Sequence, residues 1–331
     1  MICFGDEEEL FRRQEAMAKL AVDQTLFAPE DWAPPPFRRT LAQSFSVVGP
    51  GTYNKHEKSR LHFLPEESDW LFERMDLEEQ LPVRVDVGNV WTASRSIVLR
   101  SGGPHNYVRM TEHIIAQRLG LFLDGVRIQM GTGDPPLFDV GSMPIVEGIQ
   151  NAGFRNTAEM AEYWTVAEPV ALLGKNVSFL LMEPREDGRK LLSLDVAIDF
   201  PTAIGQQRIQ FDLTPEIFTY GAHARTNCSR WEMFLFHTIG KFFADYRNMG
   251  YTRENILVAG KHKYTTTPKM LHKGKSLEAV WHRACLDLLA ALSLFSAGRL
   301  AGKVTSFKAG HSLDCRWMTL VTKNGLWKRL P

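Results

Sequence analysis

The side chains best suited to chemistry in this chain lie in two short motifs far apart in sequence. The first, Thr111-Glu112-His113, opens an apolar-periodic segment; the second is His282-Arg283-Ala284-Cys285-Leu286-Asp287. A carboxylate beside one histidine, with a distant His/Asp pair, is the inventory of a catalytic zinc site, namely three protein ligands and a general base. Glu112 suits the base: adjacent to a ligand histidine, it cannot share that side chain's direction and so can face the water. The alternative is a solvated glutamate and a capping histidine at a helix start. The second motif carries an anomaly, because His282 and Asp287 stand five apart and helical neighbours stand three or four apart. Five steps at about 100° per residue turn the aspartate about 140° from His282, against about 40° for four steps. A regular helix therefore points Asp287 away from a metal on His282. A one-residue insertion can instead be absorbed as a π-bulge, and such bulges gather at functional sites. Glu278, four before His282 and on its face, is either a substitute carboxylate donor or a solvated glutamate in the helix's first turn.

These residues need elements to hold them. Residues 6–24 read as one helix, with Leu10, Met17 and Leu20 at helical intervals, followed by the stiff connector Pro34-Pro35-Pro36. Alternating runs then predict strands at 42–48, 60–64, 82–87, 96–99 and 126–130, interrupted by a helix over 110–121 and followed by one over 145–152. Strand signals resume at 177–182 and 191–200. A helix near 230–249, a strand at 256–258, a helix over 277–296 and a strand near 304–307 complete the series. Each half thus has several strands and about two helices, an α+β class with two layers of similar plan. The expected division is an extension over 1–37, a first α+β domain over 38–158 and a second over 159–331.

Composition excludes several functions. With 39 Lys+Arg against 38 Asp+Glu in 331 residues, charge gives no argument for a nucleic-acid partner. The longest strongly apolar run, 288–295, is too short to span a bilayer. The acidic start, Asp6-Glu7-Glu8-Glu9, has the wrong sign for a secretory signal. Cys3, Cys228, Cys285 and Cys315 lack paired spacing and read as reduced thiols of a cytoplasmic protein.

Several segments, in order, resemble the bacterial UDP-3-O-acyl-N-acetylglucosamine deacetylase family, the zinc hydrolases of lipid A biosynthesis. They are "RRTLAQSFSVVGPGTY" (38–53), "VRMTEHIIAQRLGL" (108–121), "GDPPLFDVGSMPIVEGIQNAG" (133–153), "LDVAIDF" (194–200), "AHARTN" (222–227), "EAVWHRACLDLLAAL" (278–292) and "GKVTSFKAGHSLD" (302–314). The resemblance covers roughly 38–325. It implies two similar α+β domains whose helices pack between their sheets, with zinc, a nucleotide-sugar cleft and an acyl tunnel between the domains. The tunnel would be built by an insert near 170–192, apolar at Leu172-Leu173 and Phe179–Met182; ordinary strand core explains the same pattern.

By resemblance, His113, His282 and Asp287 would hold zinc, Glu112 would be the base, Thr226 would help bind the developing oxyanion and His311 would protonate the leaving nitrogen. Arg283 stands where the family has a substrate-binding lysine, keeping charge but not geometry. Tyr53 replaces a glycine-turn histidine. An aspartate that pairs with the acid histidine falls at Ala290 or Ala291, so His311 is expected to hold its proton less well. Two readings follow. One is a zinc-dependent deacetylase (an amide hydrolase) acting on an acylated nucleotide sugar. The other is a catalytically silent, divergent paralogue that binds a lipid, a nucleotide sugar or a protein partner through the inherited cleft. The extension would cover the cleft, mediate self-association or pack on the surface.

Overall fold

A computed structural model describes residues 1–79, 81–237 and 249–331. Two mixed sheets organise the chain. The first half supplies a five-stranded sheet in the order Phe45–Pro50, Lys58–Pro65, Val126–Met130, Trp70–Arg74, Val83–Arg84. The second half builds a seven-stranded sheet around Val170–Leu173, Phe179–Glu183, Gly302–Phe307, Leu192–Phe200 and Gly205–Asp212. Short helices at Glu112–Ile115 and Gln117–Gly120 meet the helical run from Glu278 to Leu292, which also packs on the helix His311–Lys323. One continuous apolar core runs through both sheets and these helices. The run 278–292 lies at its centre, which explains why Val280, Trp281, Leu286, Leu289 and Leu292 are apolar all round and buried. Arg118 joins the halves, donating to Val85 O and to Ser293 O and Ser296 O.

The amino-terminal extension straps the second sheet. Strand Ile2–Phe4 pairs parallel with Val170–Leu173 at one edge, and Gln24–Leu26 pairs parallel with Gly205–Asp212 at the other. Between them the helix Glu7–Ala18, capped by the Asp6 carboxylate on Glu9 N, crosses one face. Leu10 and Met17 are buried there against Ala171, Phe179, Leu181, Ala197 and Phe307. Their strand neighbours Val170, Leu172, Leu180, Met182 and Val196 point into the main core. Side chains alternate across a sheet, so the strap lies on the face opposite the helices. It does not cover the cleft. Burying those two side chains stabilises the strap by roughly 2 kcal/mol each, and its edge strands close both flanks of the sheet.

Other expectations change. The first helix ends at Ala18 rather than 24. Residues 170–192 are not an insert: they form two adjacent strands of the seven-stranded sheet, as the strand-core alternative requires. The unit that projects from the second half is Thr226–Ser229, the helix Arg230–His237 and Ile256–Ala259, whose strands pair parallel. Part of the expected helix 230–249 lies outside the described residues. Strand Gly205–Asp212 and helices Pro215–Gly221 and His311–Lys323 were not anticipated.

Candidate active site

The five-residue spacing is resolved by the helix itself. Residues 278–282 are α-helical, 283–288 form a π turn and 289–292 are α-helical again. In a π turn the bonding is i to i+5, so residues five apart stack as residues four apart do in an α-helix. Asp287 accordingly returns to the face of His282, with Oδ1 3.5 Å from His282 Nδ1. The register with His282 as the histidine of this motif is therefore coherent.

The other expected side chains gather around this pair. His113 Nε2 lies 3.2 Å from His282 Nε2, while its Nδ1 meets Ser142 Oγ at 3.1 Å. Ser142 is fixed in turn by its amide on Ala222 O. Thr226 Oγ1 is 2.7 Å from His282 Nε2. His311, at the first turn of its helix, brings Nε2 within 3.6 Å of Asp287 Oδ1 and 3.8 Å of Glu112 Oε1. Glu112 is buried; Oε1 accepts from the Ile97 amide, and Oε2 has no partner.

Electrostatics sort these groups into roles. Burial pushes the Glu112 carboxyl up from its ordinary value, making it a better proton acceptor. Burial, aided by His282, drops His113 to about 3 and holds it neutral, the form in which imidazole binds metal. Burial would raise Asp287, but His282 and His311 beside it hold its pKa below the ordinary value. For His311 burial opposes the charge, yet Asp287 and Glu112 lift its pKa above the ordinary value. This corrects the expectation of a weakly held proton. Ala290 and Ala291 are fully buried in the helix core, and the support carboxylate they cannot supply comes from Asp287 and Glu112.

Two sequence assignments change. Arg283 is buried and faces protein: Nε donates to Ala309 O at 3.0 Å, and Nη2 to Ser306 Oγ at 3.2 Å and Asp314 Oδ1 at 2.7 Å. It clamps the loop and helix that carry His311, while its Nη1 is buried without a partner among the described residues. Glu278, fully buried, is spent on Arg225, at 2.6 Å from its Nε, and on the Lys269 amide, so it is no metal donor. Tyr53 lies under Arg109, whose guanidinium is 3.7 Å from the ring centroid. Ser142 and Asp314 were missed by motif reading. An acid three residues after His311, in the first turn of a helix, was the available signal for Asp314.

Whether a metal fits is a matter of donors and spacing. Two imidazoles on a tetrahedral zinc at about 2.0–2.1 Å place their nitrogens about 3.3 Å apart, and His113 and His282 stand at 3.2 Å. The Ser142 contact on Nδ1 leaves His113 Nε2 as the donor. An ionised carboxylate adjoins the pair, so the donor types and the imidazole spacing are those zinc takes. Asp287, however, addresses the Nδ1 edge of His282, and no three His, Cys, Asp or Glu side chains among the described residues form a finished cage.

Comparison with known proteins identifies the family. The profile of the LpxC family, described as UDP-3-O-acyl N-acetylglycosamine deacetylase, matches residues 38–323. The chain is similar to the UDP-3-O-acyl-N-acetylglucosamine deacetylase of Anaeromyxobacter sp. (strain Fw109-5), 26% identical over 84% of this chain and 86% of that protein. It is also similar to the enzymes of that name from Trichormus variabilis, 26% identical over 83% and 95%, and Thioalkalivibrio sulfidiphilus, 24% identical over 88% and 92%. With the match covering residues 38–323, most of the chain, the chain belongs to the UDP-3-O-acyl N-acetylglycosamine deacetylase family.

Proposed function

We propose that this protein is a zinc-dependent, cytoplasmic deacetylase that hydrolyses the N-acetyl group of a UDP-3-O-acyl-N-acetylglucosamine-like substrate, in the lipid A pathway. The observation that carries the reading is the π turn, which returns Asp287 to His282 and to His311. His113, His282 and Asp287 would hold the ion. When bound, zinc supplies an acidified water and polarises the amide carbonyl. Glu112 takes the water's proton at Oε2, the atom left unpartnered while the Ile97 amide fixes Oε1. His311 keeps a proton on Nε2 between two carboxylates and delivers it to the departing nitrogen. Thr226 offers its hydroxyl at the imidazole pair, where charge develops on the carbonyl oxygen. Among the described residues no helix is long and apolar enough to cross a membrane.

Glu112→Gln is expected to cut deacetylation of the acylated nucleotide sugar by about 100-fold or more while leaving zinc content unchanged. Activity within a few-fold of the unaltered protein would remove Glu112 from the mechanism. One observation favours a second reading, a catalytically silent homologue that binds through the same cleft: Asp287 approaches His282 on the ring edge away from the imidazole contact. A protein that folds, binds the substrate and leaves its acetyl group intact would establish that reading.

A further inference from the structure

The helix Arg230–His237 and the loop after Ile256–Ala259 carry a surface that none of the residues of the catalytic cluster enters. Trp231 is 65% and Phe234 52% exposed on the helix Arg230–His237, and their rings stack with centroids 5.5 Å apart. They line a depression of about 760 Å³ together with Lys261, His262 and Lys263. Arg230 and the turn at Pro201-Thr202 line it as well.

The charge around this depression is one-sided. From Asn255 to Leu277 the chain has five lysines (261, 263, 269, 273 and 275) and no aspartate or glutamate, in a protein whose net charge is only +1. Lys269 and Lys275 are tied to Asp139 O and Asp23. Lys261, Lys263 and Lys273 are exposed, and among the described residues no ion pair engages them. Glu232, the acid on the described part of the helix, accepts from the Ser229 amide as a cap. The same loop places Leu271, 62% exposed, on the first strand of a two-stranded hairpin whose tip is Lys273-Gly274.

Exposed large aromatics are costly in water, and beside exposed lysines they suit a lipid interface. Tryptophan and phenylalanine sink to the headgroup boundary while each nearby lysine is attracted to anionic headgroups. We propose that this face docks the protein on an anionic lipid bilayer, with Trp231 and Phe234 entering the interface and Arg230, Lys261 and Lys263 contacting headgroup phosphates. A hydrophobic protein partner fits the aromatics but leaves the lysines without counter-charges.

The test is co-sedimentation of the full-length protein with vesicles, independent of deacetylase activity. Vesicles of phosphatidylcholine with about a third phosphatidylglycerol are expected to pull down the protein at low salt, and pure phosphatidylcholine vesicles are not. K261E/K263E is expected to lower binding to the anionic vesicles at least tenfold. W231S/F234S is expected to lower it similarly and to make the remainder more sensitive to salt, since only electrostatic contact would persist. All these positions are exposed, and matching circular dichroism spectra establish that the variants fold. No sedimentation with anionic vesicles, or sedimentation that both variants retain, overturns the proposal. A functioning deacetylase that fails to bind vesicles sinks this inference alone.

Discussion

Arg283 gives the sharpest division between a structural and a substrate-binding role. Its side chain is 8% and that of Asp314 0% exposed, with 2.7 Å between Nη2 and Oδ1. Replacing Arg283 by methionine keeps much of the volume but leaves the Asp314 carboxylate without a cation. Oδ1 then joins Oδ2, which already lacks a partner. Ala309 O and Ser306 Oγ lose their donor as well. Removing one member of a buried ion pair costs about 3–5 kcal/mol, because the other charge stays buried and unpaired. R283M/D314L removes both charges, and apolar replacement of a whole buried pair is often close to neutral. The double variant should therefore lose only about 1–2 kcal/mol, well short of the sum of the two single variants, and the double-mutant cycle should show a coupling of at least about 4 kcal/mol. Urea unfolding followed by fluorescence measures the stabilities. Steady-state kinetics add a second readout: loosening the loop that carries His311 should lower kcat with little change in KM. An R283M protein within about 0.5 kcal/mol of the original but with a raised KM would refute the clamp and restore the substrate-binding role.

Other perturbations test the scaffold. Leu10→Ala, in the strap helix, should destabilise the protein by about 2–4 kcal/mol through the cavity left against Phe179 and Phe307. Because the strap lies on the face away from the catalytic cluster, kcat should stay unchanged in a protein that remains folded, and a kcat loss would show that the strap reaches the site. Glu66, hydrogen-bonded to Arg127 at 2.8 Å, has its carboxyl held at about 2 by that arginine. Its folded pKa lies below the unfolded value of about 4.3, so its contribution is complete above that value and disappears as pH falls towards 2. Glu66→Gln should flatten this part of the acid-unfolding curve, and an unchanged curve would remove the pair from the account.

Legibility from sequence divides along physical lines. Glu112, His113, Thr226, His282, Asp287 and His311 are all brought together, because their residue types and order carry the chemistry whatever the loops do. The five-residue spacing named its own resolution, since only an i to i+5 turn returns Asp287 to His282. What failed was mostly local. The helix Pro215–Gly221 had a Thr214 cap and a proline in its first turn, a start signal that could have been read. The helix His311–Lys323 begins after Gly310 with no side-chain cap, and its buried face (Asp314, Cys315, Trp317, Met318, Val321) mixes an acid into the apolar stripe. Apolar character alone could not distinguish strands at 170–192 from a tunnel-forming insert, since buried strands and tunnel walls draw on the same residues. Arg283 looked available because a motif shows charge and not its partner, and Asp314 lies 31 positions away.

Metal content of the purified protein, measured alongside that of His113→Ala/His282→Ala, bears most directly on the catalytic claim. The account predicts about one zinc per chain, absent from the double variant while its circular dichroism spectrum stays native. Protein prepared with zinc available that folds fully yet retains none would contradict it, and would leave the imidazole pair as a feature of a cleft that binds without hydrolysing.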